Sequence, residues 1–102
     1  MIPYEARRAV YQAAIAHYGV DGQIWLAVEE MSELTNELAK LQRDRTTVEA
    51  LVDELADVTI MMEQLRLMFG LNKEVQDRID FKVHRLAVRV GAEPEVEEFY
   101  HV

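Results

Sequence analysis

An all-α bundle of four helices is the fold this 102-residue sequence predicts, and three observations carry that reading. Apolar residues recur three and four positions apart through four long segments. Glycines and capping residues punctuate the boundaries between them. The alternation of period two that marks a strand is absent. Connections this short favour antiparallel neighbours. No linker, repeat or low-complexity stretch intervenes, so residues 1–91 read as one all-α domain and 92–102 as an acidic tail.

The first helix is expected over residues 3–18. Pro3 suits a first-turn position, Ala6, Ala9, Val10, Ala13 and Ala14 give an apolar stripe, and Gly19 ends it. The second starts after Asp21, taken as its N-cap, and runs to about residue 43, with Ala27, Met31, Leu34, Leu38 and Leu41 as its apolar row. Thr46 with Glu49 three residues later fits a capping box for the third. That helix reaches Phe69 before Gly70 stops it, its row being Leu51, Leu55, Val58, Met61, Met62 and Leu65. Asn72 caps the fourth, which ends at Gly91.

Half of the residues are apolar or aromatic, enough for a core. A chain this short still buries a modest fraction of its surface, so a homo-oligomer, dimer or tetramer, is expected. With no cysteine, disulfides and thiolate metal sites are excluded. No apolar run approaches the roughly 18–20 residues that span a bilayer. The N-terminus lacks a signal peptide's basic start and apolar stretch, so a cytoplasmic protein is the expectation. A net charge of −8 argues against nonspecific nucleic-acid binding. Glu93, Glu95, Glu97 and Glu98 concentrate that charge in the tail, which reads as a solvated, loosely ordered end. Phe99, Tyr100 and Val102 leave open its docking on a partner subunit.

The chemistry lies in two acidic clusters. Glu29-Glu30-x-x-Glu33 sits in the second predicted helix and Glu54-x-x-Asp57 in the third. On a wheel at about 100° per residue, Glu30 lies between Leu26 and Leu34, Glu33 at the edge of the apolar row, and Glu29 further round. Glu54 falls among the apolar residues of its own helix, with Asp57 beside Met61. Ionised carboxylates there are costly unless paired or bound to metal, and their mutual repulsion adds to the cost. A Mg²⁺ ion answers both difficulties, because it takes oxygen ligands and keeps several waters. Ligation by Glu30, Glu33, Glu54 and Asp57 is therefore expected. The alternative is a set of surface charges pairing with Lys40, Arg43 or Arg66. Glu37 continues the acidic column, but Lys40 three residues on can neutralise it.

These residues resemble the signature of the all-α nucleoside triphosphate pyrophosphohydrolases, the MazG-like group related to dimeric dUTPases. Tyr18-Gly19, Gln23, Glu33-Leu34, Ala56-Asp57-Val58 and Lys82-x-x-Arg85 extend the likeness over about residues 17–91. The resemblance implies a helical bundle completed by oligomerisation. It also implies Mg²⁺-dependent hydrolysis of a (deoxy)nucleoside triphosphate to monophosphate and pyrophosphate, as nucleotide-pool housecleaning. The family's metal ligands map onto Glu30, Glu33, Glu54 and Asp57, and Glu29 onto the acid that orients or deprotonates the attacking water. Asp57 is followed by Val58 and Thr59 rather than a Tyr-His pair, which disfavours the related phosphoribosyl-ATP pyrophosphohydrolases.

Phosphoanhydride hydrolysis asks a protein for positioning and charge neutralisation. The chain has neither GxxxxGK[ST] nor GxGxxG, and no nucleophilic cysteine, so a water is the simplest nucleophile. Arg78, Lys82, Arg85 and Arg89 share one face of the fourth helix. Lys82 and Arg85, where the resemblance adds weight, are the candidate phosphate contacts. Gln23 is the candidate contact to base or ribose, and Trp25 is expected to pack in an oligomer interface. Mn²⁺ is an alternative to Mg²⁺. The competing functions are a narrow dUTP or dCTP pyrophosphatase and a non-catalytic helical interaction or regulatory module.

Overall fold

The computed structural model describes residues 1–99; the readings placed on Tyr100, His101 and Val102 lie outside the described residues. The order is α1 (Tyr4–Tyr18), α2 (Val20–Leu41), α3 (Val48–Met68), α4 (Asn72–Val90) and a 3₁₀ turn at Glu93–Glu95. Among the described residues there is no strand, as the period of the apolar pattern requires. No described helix is long and apolar enough to cross a membrane. The chain divides into two compact units, Met1–Gly70 and Leu71–Val102.

In the first unit α2 and α3 form the dominant packed pair, and α1 packs on both. The core is small: Tyr11, Ala27 and Met61 are buried, together with Gln23 and Gln64. Gly19, at φ 86°, both caps the end of α1 and opens α2, its N–H reaching Ile15 O at 2.8 Å. No neighbour lies within 4 Å of where a Cβ would stand, so the glycine answers a backbone requirement and not a spatial one. Asp21 consequently sits in the first turn of α2 instead of capping it, where its charge still favours the helix dipole.

The cap of α3 also differs from expectation. Thr47, not Thr46, is the N-cap, and its hydroxyl accepts from Ala50 N at 3.1 Å. The Thr46 hydroxyl instead donates to the Glu37 carboxylate, which also accepts from Lys40 Nζ at 3.2 Å. A threonine at either position offers the same cap chemistry; the demand of Glu37 decides between them. Asp44 takes φ 54°, a left-handed conformation that aspartate tolerates, and turns the chain between the two helices.

α1 is tied to α3 by one carboxylate. Glu63 accepts from Arg7 Nε and Nη2, each at 3.1 Å, and from the Tyr11 hydroxyl. The Arg7 guanidinium holds Glu63 below the usual carboxylate range, with the Tyr11 hydrogen bond adding to it. Burial and the Glu63 charge push the Tyr11 phenol up.

In the second unit α4 begins at Asn72 itself, with Leu71 in the capping position, and ends at Gly91 in the left-handed conformation. Ala87 is its buried residue. The described part of the tail is more ordered than a frayed end. Glu95 N and Val96 N close turns onto Ala92 O and Glu93 O at 3.1 Å. Val96 and Phe99 line a small hollow with Asp80, Val83 and His84 of α4.

Candidate metal centre

The acidic site grows from the seam between α2 and α3. Gln23, Ala27, Glu30, Leu34 and Glu37 follow one another at spacings of four and three, so they form a single row along α2. All five are buried or half-buried. On α3 the matching row is Leu51, Glu54, Val58, Met61 and Leu65, also all covered to some degree. Two carboxylates are thus built into rows that otherwise pack the hairpin together.

Carboxylate oxygens of Glu30, Glu33 and Glu54, one from each, lie within 4.8 Å of one another. Glu30 Oε2 and Glu54 Oε2 are buried and accept no hydrogen bond. Burial, followed by the charges of Glu33, Asp57 and Glu54, raises Glu30 from 4.5 to about 7. Burial also raises Glu54, with the charges of Glu33, Asp57 and Glu37 adding to it. Orphaned buried oxygens facing like charge are what a protein avoids unless something positive completes the set. Three carboxylates at this spacing fit a hard divalent cation that takes oxygen ligands and retains waters.

The other sequence-derived residues distribute unevenly around this centre. Asp57 is exposed and stands outside the group of three, although its charge acts on both Glu30 and Glu54. Glu29 is exposed and lines an open groove with Tyr18, Gly22, Gln23, Trp25 and Leu26. Gln23 is 3% exposed and donates Nε2 to Gln64 Oε1 at 2.7 Å. Glu37 is committed to Lys40 and Thr46, and the Thr46 hydrogen bond holds it low. It is therefore satisfied without a cation. Lys82 and Arg85 belong to the second unit and are exposed on α4, where Arg85 lies 5.8 Å over the Phe81 ring. Trp25 is 72% exposed.

Three partnered residues escaped the sequence. Gln64, the partner of Gln23, lies on the Met61–Met68 side of α3, so a polar residue on a covered face was the available signal. Glu63 and Arg7 carried none, because 56 residues separate them.

No protein-family model, curated protein or solved structure matches this chain.

Proposed function

We propose that the α2/α3 acidic face binds Mg²⁺ and that the protein is a nucleoside triphosphate pyrophosphohydrolase of the MazG-like kind. The observation that carries the reading is the pair of buried carboxylate oxygens, on Glu30 and Glu54, left without a partner beside Glu33. The reaction itself rests on the resemblance of the two acidic motifs. Glu30, Glu33 and Glu54 would hold the cation, with Asp57 able to join from the next turn of α3. A bound divalent ion neutralises phosphate charge and acidifies a water.

The remaining work falls to the chain. Glu29 would take a proton from the attacking water, as the resemblance implies. Hydrolysis of the anhydride between the α- and β-phosphates releases pyrophosphate and leaves the monophosphate. Lys82 and Arg85 are the cations for the polyphosphate, as the resemblance implies. Mn²⁺ meets the same oxygen preference as Mg²⁺. A housecleaning role in the cytoplasm, without nucleic acid or membrane as partner, completes the reading.

The test is pyrophosphate release from a panel of nucleoside and deoxynucleoside triphosphates, with Mg²⁺ and with EDTA, beside Glu54→Ala. Metal-dependent release abolished by the substitution is expected. Release confined to dUTP or dCTP would narrow the activity to a pyrimidine enzyme. Silence across the panel in a folded protein would favour a non-catalytic interaction module.

A further inference from the structure

We infer that the open groove beside α2 is a nucleobase subsite, which holds the base of a nucleoside triphosphate by stacking on Trp25 and Tyr18 without reading its edge. The choice of a nucleotide as occupant rests on the pyrophosphohydrolase reading above; the form of the groove does not. Gly22, Leu26, Glu29 and Glu33 follow one another at spacings of four, three and four, so they share one side of α2. The first three line the groove, and Glu33, one turn further on, belongs to the carboxylate group. The groove therefore leads along α2 toward the candidate metal centre, and all of these residues lie in the first unit. It measures about 470 Å³, within the roughly 300–1,000 Å³ of small-molecule sites.

The end of the groove away from the carboxylates is aromatic. Tyr18 and Trp25 line it and stand 66% and 72% exposed. Tryptophan is normally well covered, yet here the fold leaves its ring open beside a second aromatic residue. Tyr18 packs edge-to-face against His17, with ring centroids 4.6 Å apart, which steadies it. Gly22 gives this end a floor without a side chain, since a Cβ there would meet Tyr18 Cβ at 3.9 Å. Glycine weakens a helix interior; at this position it keeps the groove deep.

Reach and chemistry point to the occupant. At about 1.5 Å per residue, Trp25 stands roughly 6 Å and Gly22 roughly 10 Å along α2 from Glu29. That is the span from an α-phosphate to the base of its own nucleoside. No lysine or arginine lines the groove, so it suits a neutral ring and not a phosphate. Stacking accepts any base, because every base has a π-face. Edge recognition needs free, placed donors and acceptors. Gln23, the contact expected from the sequence, is buried and donates its amide to Gln64. Glu29 stands at the phosphate end, and the Tyr18 hydroxyl both donates and accepts, so it discriminates little. The substrate class is therefore nucleotides of all four bases, with the larger purines held more tightly than pyrimidines.

Trp25 is the single tryptophan of the chain, so its fluorescence reads the groove directly. The experiment titrates the full chain in Mg²⁺ with the α,β-methylene analogues of ATP and CTP and with tripolyphosphate. It also measures KM and kcat for ATP in Trp25→Leu, Trp25→Phe and Gly22→Leu, with helix content followed by circular dichroism. Both analogues should quench Trp25 saturably, the purine at lower concentration, and tripolyphosphate should not. Trp25→Leu should raise KM roughly tenfold with kcat little changed, as loss of one base–aromatic stack does. Trp25→Phe should restore most of that loss. Gly22→Leu favours the helix while filling the groove, so it should weaken quenching about as much with helix content intact. Quenching without pyrophosphate release would support the subsite and sink the reaction. Release with KM unmoved in both Trp25→Leu and Gly22→Leu would sink the subsite and leave the reaction. The inference also falls if no nucleotide analogue quenches, if tripolyphosphate quenches equally, or if Trp25→Leu dissociates an oligomer in place of raising KM. A preference for one base above about a hundredfold would overturn it too, because that needs edge recognition.

Discussion

Glu30 and Glu63 are the same residue type, placed on the two helices of one hairpin, and they meet opposite fates. Glu63 sits against α1 with a bidentate guanidinium and a phenol, so its charge is fully answered. Glu30 sits against α3 with Glu33 and Glu54 for company and a buried oxygen that nothing addresses. Burial alone does not separate the two carboxylates, since both are half-covered. What separates them is whether the fold supplies the counter-charge or leaves it to be brought from outside.

Removing one carboxylate from each region should therefore have opposite consequences. Glu54→Gln is expected to reduce Mg²⁺-dependent turnover by more than about a hundredfold, a loss typical of disturbed metal ligation. It should leave the metal-free melting temperature equal or higher, because it relieves repulsion. Thermal scans with and without Mg²⁺ check this, and a marked loss of stability without metal would make Glu54 a structural residue. Glu63→Gln should do the reverse, lowering the melting temperature by several degrees as Arg7 loses its partner, while the metal-induced stabilisation survives.

The pH dependence sharpens the contrast in a smaller signal. Glu30 is raised in the fold from 4.5 to about 7, so the folded protein holds its proton more tightly than the unfolded chain. Stability from this group is complete below 4.5 and is lost as pH rises through about 7. Glu63 is lowered from 4.5; its contribution is present above that value and disappears as pH falls. The melting temperature of the metal-free protein should thus decline between about pH 5 and 7.5. Glu30→Gln or saturating Mg²⁺ should flatten that decline, and Glu63→Gln should not.

The four helices were legible in the sequence because glycines 19, 70 and 91 and the apolar spacing are local signals. All three glycines take positive φ in the structure. The acidic centre was legible because Glu30 and Glu54 occupy apolar rows, a conflict visible on a helical wheel. The rows themselves were read too simply. Ala27 is buried and Leu34 half-buried, whereas Met31 and Leu38 are exposed, so one expected stripe on α2 is two. The same holds on α3, where Leu55 and Met62 are exposed and Met61 is buried. Periodicity reports that a residue is apolar on a given side. It does not report which neighbour covers that side.

The tie from Thr46 to Glu37 gives the short loop between α2 and α3 a meaning beyond turning the chain. It clamps the loop at a fixed count of residues, so the two helices are phased like meshed gears. Deleting one residue of α3 between that clamp and Glu54 would carry Glu54 about 100° round the helix and about 1.5 Å along it. Glu54 would then swing out of the seam and leave Glu30 and Glu33 without their third carboxylate. The count of residues between Thr46 and Glu54 is in this sense part of the candidate site.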